Sequence, residues 1–352
     1  MFKKFLLIIF LILILSSSLL YYFLDKTYET APTINTLLVI EDNIFEHTSK
    51  PIFMLAQFFP NKYKLQIVFI NEEISILRKR AKTKSILQLY SEYDKDKKIE
   101  LIKKDIETLF DNTIKIDYFI NADKKTFTEF FKIFDTDNNL SRDLFINLTD
   151  KTNYYNYIYA TIKIIKNTIN NINRTKIFDV LFFIKNNKIN TDLKPKYLLY
   201  LINLKKRSTI FADIPVLKTR GRIEIDAKYK NNVIQLLSDS YKSNSFLKDK
   251  TIVEVLNASN TKRVASKVAN KLIENGFDVF NWANSKNKIN NTLVIDLINN
   301  EEKASKICNL FNCGEILLLP APKNFADMTI LLGQDCNIYD KFDIDFKQEK
   351  SL

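Results

Sequence analysis

The sequence predicts an N-terminal transmembrane helix, then a larger α/β domain on a mixed central sheet between helical layers, then a small α+β domain of order β-α-β-β-α-β-β. Three observations lead there. Residues 5–24, FLLIIFLILILSSSLLYYFL, carry no charge. Residues 36–242 alternate apolar strand-like runs with runs at helical spacing. Residues 251–336 repeat that alternation in a shorter form. They hold three of the four glycines (Gly276, Gly314, Gly333) and all three cysteines (Cys308, Cys313, Cys336).

The uncharged run is long enough to cross a bilayer core of about 30 Å as a helix. Lys3 and Lys4 before it predict a cytoplasmic tip over 1–4, and Tyr21 and Tyr22 stand where an interfacial aromatic belt would lie. A cleaved signal peptide would have a shorter apolar core and a small-residue cleavage site. The run instead predicts an uncleaved anchor over 5–24, a linker over 25–35, and a single-pass inner-membrane protein whose bulk is extracytoplasmic.

The larger domain opens with the strand 36–42 (TLLVIED). Residues 52–59 and 64–71 form a hairpin around the turn Pro60-Asn61-Lys62. Ile99, Ile102, Ile106, Leu109 and Phe110 mark a helix, 116–121 a strand, and Phe127, Phe130, Phe131 and Phe134 a second helix. A long helix spans 155–172. Another follows 190–193 and runs to 204, and a last one covers 229–241. Residues 243–250 read as a linker and 337–352 as a charged tail.

In the small domain, 251–257 (TIVEVLN) alternates as a strand. Val264, Val268, Leu272 and Ile273 then repeat at helical spacing, with Gly276 as the stop. Strands follow at 277–280 and 292–298, a helix at 301–310, and strands at 315–319 and 328–332.

The run Val253-Glu-Val-Leu-Asn257, the series Ala265, Val268, Ala269, Leu272, Gly276 to Val279, and Ile330-Leu-Leu-Gly333-Gln-Asp335 resemble the C-terminal domain of LytR-CpsA-Psr envelope proteins. Ala258 departs from the Gly usual there. The order hairpin, helix, strand, helix over 36–241 resembles that family's catalytic domain, by element order more than by identities. The resemblance implies transfer of a phospho-linked glycan from a polyprenyl pyrophosphate carrier to peptidoglycan. Arginines grip the diphosphate, because forked guanidiniums match paired phosphate oxygens, and a carboxylate-bound divalent cation takes up leaving-group charge.

Carried over one position at a time, much of that machinery is absent. Asp42 matches the first strand's Asp. The next metal-binding Asp falls near Lys50 or Pro51, which cannot bind a cation. The Pro-Arg-Asp ending the second strand falls on Asn71-Glu72-Glu73, so an acid replaces an Arg. The later arginine cluster falls on Tyr154-Tyr155-Asn156-Tyr157. Losing one such charge-assisted contact costs about 2–4 kcal/mol of transition-state stabilisation. The residues therefore predict a non-catalytic relative that binds or scaffolds cell-wall or envelope components. It would have no cofactor, and Asp42, Glu72 and Glu73 would be vestigial. An active, Mg²⁺-dependent phosphotransferase with Asp42 and Glu73 as metal ligands is one alternative, and a polyprenyl-lipid binder without chemistry is another.

The net charge of +12 suits an anionic partner. No zinc-finger spacing, ribonucleoprotein signature or helix-turn-helix accompanies it, so nucleic acid is not expected. The expected partners are the membrane, peptidoglycan, envelope-assembly proteins and polyprenyl lipid. Arg78, Lys79, Arg80, Lys82 and Lys84 form the densest basic run, either a solvated loop or a contact for anionic lipid or wall polymer. The lone His47 excludes a Ser-His-Asp triad and a His-rich metal site. Cys308 and Cys313 flank a helix end and read as buried thiols, with a bridge between them as the alternative in an oxidising compartment. Trp282 reads as a partial core residue, and Tyr154, Tyr155, Tyr157 and Tyr159 as packing on the long helix.

Overall fold

The computed structural model describes residues 33–41, 51–62, 64–76, 83–94, 96–134, 154–171, 174–186, 189–193, 208–219, 221–241, 250–322 and 325–336. The expected anchor over 5–24, with its tip and linker, lies outside them. Among the described residues no helix is long and apolar enough to cross a membrane. The fold class is corrected accordingly. It is a mixed α/β chain in which no described element spans a bilayer, and a single-pass placement in the inner membrane finds no support in it. The longest described helix, Tyr154–Asn171, carries Asn156, Thr161, Lys163 and Lys166 and packs on a sheet instead.

Strands β1 (Ile34–Glu41), β2 (Ile52–Phe59) and β3 (Lys64–Ile70) form an antiparallel meander, closed between β2 and β3 by a 3-10 turn at Pro60–Lys62. A short hairpin, β4 (Ser75–Ile76) with β5 (Lys84–Ser85), leads into α1 (Ile86–Glu92). Ser85 and Gln88 form a capping box that fixes where α1 starts. Then come α2 (Lys98–Leu109), β6 (Tyr118–Asp123), α3 (Lys124–Lys132), α4 (Tyr154–Asn171), α5 (Arg174–Asn186) and β7 (Asn190–Thr191). Strand β8 (Ser208–Asp213) and the hairpin β9 (Val216–Thr219) with β10 (Arg222–Ile225) precede α6 (Lys230–Leu237). Sequence periodicity missed α1, α5 and β8. The helix expected up to 204 falls outside the described residues.

Period-two alternation sorts the core into two faces. Leu37, Val39, Phe53, Leu55, Val68 and Ile70 turn toward α1, α2 and α6. Met54, Phe58, Leu65, Ile67 and Phe69 turn toward α3 and α4. Two glutamines break the apolar face under α6. Gln57 Nε2 donates to Leu237 O at 2.9 Å, and Gln66 Nε2 donates to Leu236 O at 3.1 Å and Gln57 Oε1 at 2.8 Å. They satisfy carbonyls that the end of a helix leaves without intrahelical partners.

The C-terminal part runs β11 (Ile252–Asn257), α7 (Val264–Glu274), β12 (Asp278–Asn284), β13 (Leu293–Asp296), α8 (Glu301–Phe311), β14 (Glu315–Leu318) and β15 (Met328–Leu332). This is the order the sequence predicts. Its strands do not form a separate sheet. One eleven-stranded sheet runs β12-β11-β15-β13-β14-β8-β3-β2-β1-β6-β7. The join is β14 beside β8, parallel, with Leu318 opposite Ala212.

Helices α7 and α8 cover one face of the C-terminal strands. The other face, with Leu293, Ile295, Leu297, Leu317 and Leu331, packs in the same cluster as α4. Helix α4 therefore bridges the seam. Lys163 Nζ pairs with Glu315 Oε1 at 2.8 Å, Lys166 pairs with Glu315 Oε2, and Asn290 N donates to Asn156 Oδ1 at 2.9 Å. Tyr241 adds a second link, donating its hydroxyl to Leu297 O at 3.2 Å.

Candidate functional site

Strands β1, β3, β6 and β8 all point the same way, because β1 and β3 are each antiparallel to β2 while β6 and β8 are parallel to β1 and β3. Their C-terminal ends share one sheet edge, where ligands sit in open α/β sheets. That edge is acidic. Glu41 ends β1, Glu72 and Glu73 follow β3, Asp123 ends β6 and Asp213 ends β8. Helix α4 begins there at Tyr154.

These acids are individually engaged. The Tyr90 hydroxyl donates to Glu41 Oε1. Burial, then that bond and the Glu41 charge, push the Tyr90 phenol far above its usual range. Asp123 caps α3 by accepting from Thr126 N at 2.8 Å. The Asn71 side chain accepts from Glu73 N at 2.8 Å, folding the end of β3 into a tight turn. Asp213 is buried and accepts from the Tyr154 hydroxyl at 2.8 Å and from Ile214 N at 2.8 Å. Burial raises its carboxyl to about 7, and the two hydrogen bonds hold it from going higher.

A cavity of about 60 Å³ lies between these strand ends and α4, lined by Pro51, Ile52, Phe53, Phe69, Ile70, Glu72, Tyr154 and Tyr157. No cationic side chain lines it among the described residues. Tyr157 is buried there, and its hydroxyl finds no hydrogen-bond partner among them.

Three of the four residues standing where the resemblance expects arginines are placed as follows. Tyr154 holds Asp213, Asn156 accepts from the C-terminal part, and Tyr155 lines a separate groove with Leu256, Ile295 and Leu331. The Tyr154 hydroxyl serves a buried acid and the Asn156 amide serves the seam, and neither brings positive charge to the edge.

Of the sequence-predicted site residues, Asp42, Arg78, Lys79, Arg80 and Lys82 lie outside the described residues, as does His47. Lys84 sits in β5 and pairs with Glu92. Glu72 and Glu73 lie at the expected strand end. Among the described residues no three acidic, His or Cys side chains come together as metal ligands. Glu41 is held by Tyr90, and Asp213 by Tyr154 and Ile214 N, so among the described residues these acids are turned to protein partners. Cys313 does not face Cys308. Its Sγ lies 2.7 Å from that of Cys336. Trp282 is 52% exposed on edge strand β12, not part of the core. Sequence reasoning missed Asp213 and Tyr90, whose partners are 59 and 49 residues away.

Comparison with known proteins adds the following. No curated protein matches the chain. A putative transcription regulator from Eubacterium siraeum is similar in structure at 13% identity and TM-score 0.47, over 60% of this chain and 92% of that one. TagV of B. subtilis is similar at 13% identity and TM-score 0.47, over 59% and 96%. TagT bound to LI-WTA is similar at 10% identity and TM-score 0.42, over 60% and 92%. These likenesses bear on neither activity nor ligand. Residues 250–335 match the family described as LytR cell envelope-related transcriptional attenuator. Residues 250–335 are thus the LytR-type C-terminal domain that their sequence pattern leads one to expect.

Proposed function

We propose that this chain is a cell-envelope protein that binds or scaffolds wall components and does not catalyse phosphotransfer. One observation carries the reading. At the sheet edge where a diphosphate would be gripped, the first residue of α4 is Tyr154, bonded to buried Asp213, and the lining residues described bring acid and aromatic groups but no cation. A diphosphate placed there would lose its water and gain no cationic partner among the described residues. The LytR-type domain over 250–335 supports the envelope assignment. The sheet shared between the two parts suits a scaffold, since it offers one continuous body for partners to engage.

The test uses the purified full chain in two assays. Cosedimentation with isolated peptidoglycan sacculi is expected. With a glycan-loaded polyprenyl pyrophosphate and Mg²⁺, no transfer to peptidoglycan is expected. Failure to cosediment removes the binding role, and metal-dependent transfer removes the non-catalytic one. Copurification of polyprenyl lipid without cosedimentation would replace the scaffold with a lipid binder.

A further inference from the structure

We infer that Cys313 and Cys336 form a disulfide that ties the end of the last strand to the α8–β14 corner, leaving Cys308 as a thiol. The two sulfurs lie 2.7 Å apart. That is beyond the ~2.05 Å of an S–S bond, so a small side-chain movement closes it. The pair is 23 residues apart in sequence.

Thr292 holds both sides. Its carbonyl accepts from Glu315 N at 3.2 Å, two residues past Cys313. Its backbone N–H and hydroxyl donate to Asp335 Oδ1 at 2.7 and 2.8 Å, one residue before Cys336. Gly333 N donates to the same hydroxyl at 3.0 Å, and Gln334 N and Asp335 N both donate to Asn290 O. The two cysteines are thus brought together by a hydrogen-bond network centred on Thr292 and Asp335.

Among the described residues the sulfur contact joins Cys313 to Cys336, and none joins either to Cys308. Cys313 stands between two residues in the left-handed region, Asn312 at φ 50° and Gly314 at φ 95°. That corner ends α8 and leads the chain into β14. Cys308 stays on α8, where burial and then the Glu315 carboxylate push its thiol up to about 12, so it is a poor nucleophile. Cys308 and Cys313 are half-buried and Cys336 is buried.

The oxidant is a disulfide-bearing exchange partner. The Cys313 thiolate attacks one sulfur of that disulfide, forming a mixed disulfide and releasing one thiolate. Cys336, deprotonated, then attacks Cys313 Sγ and releases the second thiolate. Two thiols of this chain lose two electrons and two protons, and the partner's disulfide becomes two thiols.

The experiment incubates the full chain with oxidised glutathione, blocks remaining thiols with N-ethylmaleimide, digests without reduction and maps peptides by mass spectrometry. The expected product is a Cys313–Cys336 cross-linked peptide with Cys308 alkylated, unchanged in Cys308→Ser and lost after dithiothreitol. A cross-link through Cys308, or Cys313 and Cys336 both recovered alkylated or glutathionylated, overturns the inference. As a second readout, the oxidised chain should melt at a higher temperature than the reduced chain, because a bridge restricts the unfolded ensemble. Equal melting temperatures would remove the tether. Cys336→Ser should show no such shift and should retain glutathione on Cys313. If that variant does not fold, the wild-type map decides alone.

Discussion

The Tyr154 hydroxyl donates to Asp213 Oδ1 at 2.8 Å, joining the first turn of α4 to the end of β8 across 59 residues of sequence. Asp213 is buried and Tyr154 partly so, and the hydroxyl stands in for water at the acid. Tyr154→Phe removes the donor and leaves the acid with Ile214 N alone. We expect a loss of about 1–3 kcal/mol in urea unfolding and a carboxyl pKa for Asp213 that moves further up, followed by NMR titration. An unchanged pKa would mean that the hydroxyl is not its partner.

The same acid sets a pH dependence. Burial raises Asp213 to about 7 and Asp296 to about 6, both above their ordinary unfolded value of about 4. A group raised on folding binds its proton more tightly in the native state. Its contribution is complete below the unfolded pKa and is lost as pH rises through the folded one. Stability should therefore fall between about pH 4 and 7 by a few kcal/mol and level off above. Asp213→Asn should flatten that slope. Asp239 works the other way: burial would raise it, but Lys62 and Lys64 outweigh burial and lower it. Its contribution appears above the unfolded pKa and is lost in stronger acid.

The seam predicts an asymmetry. Glu315 is buried between Lys163 and Lys166, whose side chains are about two-fifths exposed. Glu315→Gln leaves two lysines that can turn to water, and should cost about 1 kcal/mol. The double substitution Lys163→Met with Lys166→Met strands a buried carboxylate and should cost about 3–5 kcal/mol. Equal losses in urea melts would refute the burial argument.

Gly333 is required by space, not by φ. A Cβ there would lie 2.3 Å from the backbone carbon of Asn291, in the loop that also carries Thr292. Gly333→Ala must move backbone, and a melting temperature lower by several degrees is expected. Gly276, at φ 83° with open space around it, should lose less on the same change, about 1 kcal/mol of left-handed strain.

The C-terminal part was legible because its signals are local. Strand alternation in 251–257, helical spacing from Val264 and the left-handed stop at Gly276 each sit within a few residues of what they specify. The β2–β3 hairpin was readable for the same reason. The seam was not. It depends on one pairing of β14 with β8 and on α4 burying residues around much of its circumference, among them Ile158, Ile162, Ile164 and Ile169. An apolar surface that wide is the one sequence signal that this helix has neighbours on more than one side. At the site, residue types could show that arginines were missing. They could not show that Tyr154 answers to Asp213, or that Cys313 turns from Cys308 to Cys336, because those pairings exist only after the sheet has formed.

The most direct test of the non-catalytic reading is a transfer assay on the purified full chain with a glycan-loaded polyprenyl pyrophosphate, peptidoglycan acceptor and Mg²⁺. The account predicts no glycan on peptidoglycan above the no-protein control. Metal-dependent transfer that disappears in Asp42→Ala would contradict it.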